Sequence, residues 1–221
     1  MRLKTLASLL LAGTLSASML VYAKEPVNLA FIKKDLKHYH DSGEYDHDIS
    51  SMMQQAMRYL EMRIDQGKFH GKKPAIVLDI DETSLSNYPD MVRLDFGGTL
   101  EEIRQDEDKG EDEAIAPTLK LYRYAKANQI AVFFITGRQE EEREVTEKNL
   151  KKAGYVNHDG LILRAGEYKK APASVYKIAM RKQLADQGYD ILLNIGDQKS
   201  DLRGGYADKT YKLPNPYYHI P

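Results

Sequence analysis

Between residues 45 and 65, apolar side chains recur at three- and four-residue steps through Ile49, Met52, Ala56, Leu60 and Ile64. That spacing predicts an amphipathic helix, with its methionines in the core. From Lys72 the pattern changes. Residues 75–79 form a short apolar run bounded by polar residues, as expected of a parallel strand buried on both faces. Residues 130–135, 161–164 and 191–195 repeat it, and 211–213 predict a fifth strand. Helical stretches lie between them. One runs over 117–127, with Pro117 tolerated at the first helical position. A charged one covers 139–152 and stops at Gly154, and a third runs from Pro172 to near Gly188. The polar stretch after the first strand, with an acidic cluster over 106–113 around Gly110, reads as a solvated loop or helix face.

This alternation predicts an α/β fold: a Rossmann-like three-layer sandwich, with a central parallel sheet, helices on both faces and right-handed crossovers. A small, mostly helical cap is expected from residues 26–70 and 87–116. The chain of 221 residues suits one such domain with a modest insertion, and it contains no internal repeat. Ligands of such sheets bind outside the carboxyl ends of the strands. Chemistry is therefore expected just after each apolar run.

Three polar motifs fall there. Asp79 and Asp81 end the first strand, and positions two apart in extended backbone face the same side. Two carboxylates that close repel, so a metal ion or a shared proton is needed to hold them together. Thr136, Gly137 and Arg138 end the second strand. A hydroxyl and a glycine amide before a helix start can cradle an anion, although an ordinary helix cap looks the same. Gly196, Asp197 and Asp201 end the fourth strand; the glycine allows a tight turn, and the carboxylates are hard oxygen ligands of the kind Mg²⁺ prefers. A fixed positive charge for a phosphate is expected from Lys177, with Lys169 and Lys170 as competitors.

Composition narrows the class. The formal net charge is −1, from 32 basic and 33 acidic residues, so nothing favours a nucleic-acid polymer as partner. The N-terminus carries Arg2 and Lys4, a Leu- and Ala-rich stretch over 6–21, and Val21-Tyr22-Ala23 before Lys24. That is the layout of a cleavable secretory signal over residues 1–23. It implies a periplasmic or secreted protein with no stable membrane anchor after cleavage. The domain from Lys24 onward then has a net charge of −3, from 30 basic and 33 acidic residues. With no cysteine there is no disulfide, no lipidated N-terminal cysteine, no thiolate zinc site and no cysteine nucleophile.

The ordered motifs Asp79-Ile-Asp-Glu-Thr with Leu85-Ser-Asn87, Phe133-Phe-Ile-Thr-Gly-Arg138, Tyr176-Lys177 through Gly188-Tyr189, Gly196-Asp197 with Ser200-Asp201-Leu202, and the ending Lys212-Leu-Pro-Asn-Pro216 resemble the haloacid dehalogenase (HAD) superfamily in its acid phosphatase branch. That branch includes secreted bacterial class B and class C enzymes and plant vegetative-storage-protein-like phosphatases. The resemblance covers most of the chain after residue 23. It implies a Mg²⁺-dependent phosphomonoesterase acting on small molecules, either nucleoside monophosphates or a broad range of esters. It implies Asp79 as nucleophile, Asp81 as general acid and then base, Thr136 and Gly137 as phosphate donors, and Lys177 as the lysine that orients Asp79 and neutralises the phosphoryl group. Mg²⁺ would bind Asp79, the backbone carbonyl of Asp81, and Asp197, with Asp201 in support. Tyr39, His40, Tyr45 and Tyr88 are candidates to stack on a leaving group, each weighed against ordinary packing. A non-catalytic storage or binding protein that keeps the fold is the alternative, as is a phosphorelay receiver; a homo-oligomer stays open.

Overall fold

The computed structural model describes residues 24–69 and 71–221. The expected secretory signal lies outside the described residues. Among the described residues, no helix is long and apolar enough to cross a membrane.

The core is a five-stranded parallel sheet in the order β5-β4-β1-β6-β7, formed by β1 (Lys73–Leu78), β4 (Ala131–Gln139), β5 (Gly160–Arg164), β6 (Tyr189–Gly196) and β7 (Lys209–Lys212). β1 is central, which is why its run is apolar without a break. Alternation along each strand divides the side chains between two cores. Ile76, Leu78, Val132 and Phe134 face one cluster, together with Ile49, Ala56 and Leu60 of α2 (Glu44–Gln66) and Leu121 of α5 (Ala116–Ala127). Ala75, Val77, Phe133 and Ile135 face the other, with Tyr176 and Leu184 of α7 (Ala173–Asp186). Both faces are covered, as the apolar runs require.

Several boundaries differ from the expectation. Helix α1 (Leu29–Asp41) precedes α2; its Leu29, Ile32, Leu36 and Tyr39 keep helical spacing, yet it has no fully buried residue and Phe31 is 65% exposed. Residues 26–70 were expected in a cap, yet α2 packs in the main core against α5 and the sheet. The charged helix does not begin at residue 139. β4 runs on through Gln139 with a register irregularity after Ile135, a short 3-10 turn spans Glu140–Glu142, and α6 is Arg143–Lys152. The polar stretch is not merely loop. It contains the antiparallel pair β2 (Leu85–Ser86) and β3 (Glu113–Ala114), and helices α3 (Tyr88–Arg93) and α4 (Leu100–Glu107). Its acidic cluster is not uniformly solvated either: Asp106 and Asp112 are buried, because Arg93 and Lys109 pair with the first and Arg138 with the second. α8 (Lys199–Leu202) completes the element order.

Candidate active site

Asp79 follows β1 directly, and its backbone N–H continues the ladder to Ile195 of the neighbouring β6. Asp197 follows β6 and Asp201 lies in α8. Adjacent parallel strands end side by side, so residues far apart in sequence meet there. Asp79, Asp197 and Asp201 each bring a carboxylate oxygen within 4.8 Å of the others, and their exposures are 6%, 1% and 4%. Lys177 reaches this group from α7, donating to Asp79 Oδ1 at 2.6 Å and to Asp201 Oδ1 at 2.5 Å. Lys169 instead pairs with Glu141 on the surface.

Gly196 is the residue this packing demands. A Cβ at that position would lie 2.5 Å from both Cβ and Oδ2 of Asp201. The close approach that requires glycine here is to the Asp201 side chain. Asp201 Oδ2 also accepts the backbone N–H of Gln198 at 2.8 Å, which fixes its remaining oxygen.

Burial raises the pKa of Asp79 well above the carboxylate range; the Lys177 charge opposes this, while Asp201, Asp197 and Asp81 add to it. Asp197 is raised by burial and by Asp201. Burial alone would lower Lys177, but Asp79 and Asp201 outweigh it and hold the ammonium charged. Three buried carboxylates against one lysine leave an excess of negative charge in a water-poor site. All three offer hard oxygen donors, so the set fits a divalent cation such as Mg²⁺.

Asp81 is placed differently from Asp79. Arg138 Nη2 donates to its Oδ1 at 2.7 Å, Arg138 Nε to Oδ1 and Oδ2 at 3.2 and 3.3 Å, and Asn87 Nδ2 to Oδ1 at 3.1 Å. Burial pushes the Asp81 pKa up, but Arg138 and Asn87 outweigh it and set it below the ordinary value. Its carboxylate is outside the three-carboxylate group. The same Arg138 Nη2 donates to Asp112 Oδ2 at 3.3 Å, so one buried guanidinium joins two carboxylates. Thr136 is fully buried, and its hydroxyl accepts the Arg138 N–H at 3.1 Å, leaving its own proton to donate. Gly137 is exposed to the cleft, where a Cβ would meet nothing within 4 Å.

The loop after β1 is pinned by its own polar groups. Ser84 Oγ donates to the Asp79 carbonyl at 2.6 Å. Glu82 has a φ of 51°, unfavourable for a side chain of its size. It is held there by accepting Asn87 N–H at 2.6 Å and the Tyr45 hydroxyl at 3.1 Å. Burial pushes its carboxyl up to about 8.

A cleft of about 300 Å³ opens over these groups. Met91, Ile103, Arg104 and Glu107 wall it from α3 and α4, and Tyr218 and Ile220 from the C-terminal segment. Tyr39, His40, Tyr45 and Tyr88 are not among its walls; they pack on one another, with the His40 and Tyr88 rings 3.4 Å apart. The packing reading of those four holds. The sequence reading quoted Arg138 and Glu82 within its motifs without giving them a role, and missed Asp112 and Tyr218. Neither Asp112 nor Tyr218 carries a local signal of its place there.

A parallel α/β sheet with an acidic, lysine-bearing crevice at its strand ends defines a class suited to phosphoryl chemistry. Comparison makes the class specific. Residues 6–221 match the model of the HAD superfamily, subfamily IIIB (acid phosphatase), and the chain belongs to that family. It is 38% identical over 193 residues to a stem 28 kDa glycoprotein of Glycine max, covering 83% of this chain and 73% of that one. It is 36% identical over 148 residues to acid phosphatase 1 of Solanum lycopersicum, covering 65% and 58%. The fold matches that of the class C acid phosphatase of Bacillus anthracis with a TM-score of 0.72 at 24% identity, over 86% of this chain and 85% of that one.

Proposed function

We propose that the chain is an exported, Mg²⁺-dependent phosphomonoesterase that hydrolyses small phosphate esters through a covalent phosphate on Asp79. One observation carries the reading: Lys177 bridges Asp79 and Asp201 at a buried strand-end site that Asp197 completes. A phosphate dianion approaching a carboxylate is repelled, and fixed positive charge is what offsets that repulsion. Mg²⁺ held by Asp79, Asp197, Asp201 and the Asp81 carbonyl would supply the larger share of that charge. Lys177 supplies the rest and orients the attacking oxygen.

In the first displacement an Asp79 oxygen attacks phosphorus, the P–O bond to the leaving group breaks, and Asp81 gives that oxygen its proton. In the second, Asp81 takes a proton from water as the water oxygen attacks phosphorus. The bond to Asp79 breaks and inorganic phosphate leaves. Splitting hydrolysis in this way replaces one difficult step with two easier ones. Thr136 and Gly137 are assigned to the phosphoryl oxygens. Arg138 keeps Asp81 ionised in the free protein, so protonation of Asp81 requires acid conditions, and turnover is expected to be favoured there.

The 300 Å³ cleft, walled by both apolar and charged side chains, suits a small leaving group rather than a polymer. Export rests on the N-terminal pattern. Peptide sequencing of the exported protein should begin at Lys24; a start at Met1 would overturn it. Phosphate release from p-nitrophenyl phosphate should require Mg²⁺ and vanish in Asp79→Asn. Retained turnover in that variant would remove Asp79 as nucleophile, and an inactive wild type at every pH would favour the storage-protein reading.

A further inference from the structure

The C-terminal segment after β7 reaches Asp197 by a continuous path of hydrogen bonds. Leu213 N–H donates to the Gly196 carbonyl at 2.9 Å, extending the β6–β7 pairing to the residue before Asp197. Two residues on, Asn215 Nδ2 donates to Asp197 Oδ2 at 2.7 Å. Asn215 Oδ1 accepts the backbone N–H of Tyr217 at 2.9 Å and of Tyr218 at 3.4 Å, closing an Asx turn. The neighbouring Gln198 does the same in mirror: its Nε2 donates to Asp197 Oδ2 at 2.6 Å, and its Oε1 accepts Ile220 N–H at 3.1 Å. Reversing either amide would set an oxygen against a carboxylate and an NH₂ against an N–H. The chemistry therefore fixes both orientations.

Both amides thus spend their N–H on one carboxylate oxygen and their carbonyl on the tail backbone. With Oδ2 taken twice, Asp197 Oδ1 is the less engaged oxygen, holding only a 3.4 Å contact from Thr83 Oγ1, and is the one left for a cation. We infer that Asn215, carried by the segment over residues 213–221, is a positioning residue for the metal ligand Asp197, acting on cation binding through its own amide contact. Groups behind a ligand typically change metal affinity by about 10- to 100-fold when removed, because the ligand must otherwise be oriented on binding. The inference rests on the Mg²⁺ reading proposed above.

Titration calorimetry with Mg²⁺ alone, on the full chain from Lys24 after chelator treatment, tests it without reference to turnover. Asn215→Ala should raise the Mg²⁺ Kd about tenfold or more, with the metal-free melting temperature close to wild type. Gln198→Ala should act in the same direction. Ser200→Ala removes a tail contact, Ser200 Oγ to the Ile220 carbonyl at 3.4 Å, that does not involve Asp197. It should leave Mg²⁺ affinity unchanged. Asn215→Ala with a Kd within twofold of wild type overturns the inference, as does an equal loss in Ser200→Ala. Wild-type protein that binds no Mg²⁺ overturns instead the metal reading on which it stands. If Asn215→Ala does not fold, Gln198→Ala decides by the same comparison, since its amide shares the same Asp197 oxygen.

Discussion

Replacing Arg138 by methionine tests the electrostatic reading of the site most directly. The guanidinium is 1% exposed and joins Asp81, 18% exposed, to Asp112, 5% exposed. Methionine fills much of the volume but leaves two carboxylates facing a low-dielectric interior. Breaking a buried pair by removing one partner costs about 3–5 kcal/mol. For a domain of this size each kcal/mol corresponds to roughly 2–4 °C, so melting should fall by about 6–20 °C at pH 7. The loss must depend on pH, and its sign is fixed. In the wild type the folded-state pKa of Asp81 is lowered, so its ionised form stabilises the fold above the unfolded value near 4. That contribution is lost as pH falls through the lower folded value. In the variant, burial acts unopposed and raises Asp81. Asp112, already pushed up to about 6 with Arg138 present, moves the same way. Both then destabilise the folded state as pH climbs above about 4, until protonation relieves them on acidification. Urea denaturation in chelator from pH 4 to 7 should show the gap to wild type widening with pH, and Asp81→Asn in the same background should narrow it. A loss below about 1 kcal/mol at pH 7, or one flat across that range, would refute the account.

Other substitutions separate charge, packing and chemistry. Lys177→Met should lower kcat for p-nitrophenyl phosphate by about 10²–10³, as loss of a fixed charge on a developing anion does; a change below tenfold would count against its role. Gly196→Ala forces a Cβ into Asp201 at 2.5 Å and should cost about 1–3 kcal/mol in urea denaturation, with activity falling too. A variant as stable as wild type would mean the turn relaxes freely. Asp79→Asn should abolish turnover, yet in chelator at pH 7 be as stable as wild type or more so. The Asp79 pKa is raised on folding, so its ionised form disfavours the native state above the unfolded value. A marked loss of stability would instead assign Asp79 a structural role.

Four strands of the sheet were readable from the chain because β1, β4, β5 and β6 each hold a continuous apolar run that ends in a charged or glycine-containing motif, whereas the edge strand β7 buries only Tyr211. A parallel sheet leaves such runs no polar face. α2 was equally plain, since Ile49, Ala56 and Leu60 keep helical spacing and are all buried. α1 was expected only as part of the cap; its Leu29, Ile32, Leu36 and Tyr39 keep helical spacing, but none of them is completely buried. The strand ends disclosed Asp79, Thr136 and Asp197, but not their partners. Arg138 meets Asp81 across 57 residues and Tyr45 meets Glu82 across 37. Asp112 lies in a run of acidic residues whose surface-like composition hides the one that faces a buried arginine. Pairing of that kind is a property of the fold, and local pattern carries no trace of it.

Two different kinds of structure therefore meet at the cleft. Its floor is built from strand ends, a glycine without spare room and closely paired buried charges, so a change there disturbs stability, charge and chemistry together. Its wall on the α4 side is a short helix whose Ile103 is only half-buried, held mainly by the capping box of Thr99 with Glu102 and by the Asp106 pairs to Arg93 and Lys109. Few buried contacts tie that wall to the core, and capping interactions contribute only about 1 kcal/mol each. The side chains that would meet a leaving group, Ile103, Arg104 and Glu107, are consequently free to vary at small cost to the fold. Substitution at Ile103 should therefore shift relative kcat/KM between bulky and small phosphate esters while leaving the metal-free melting temperature nearly unmoved.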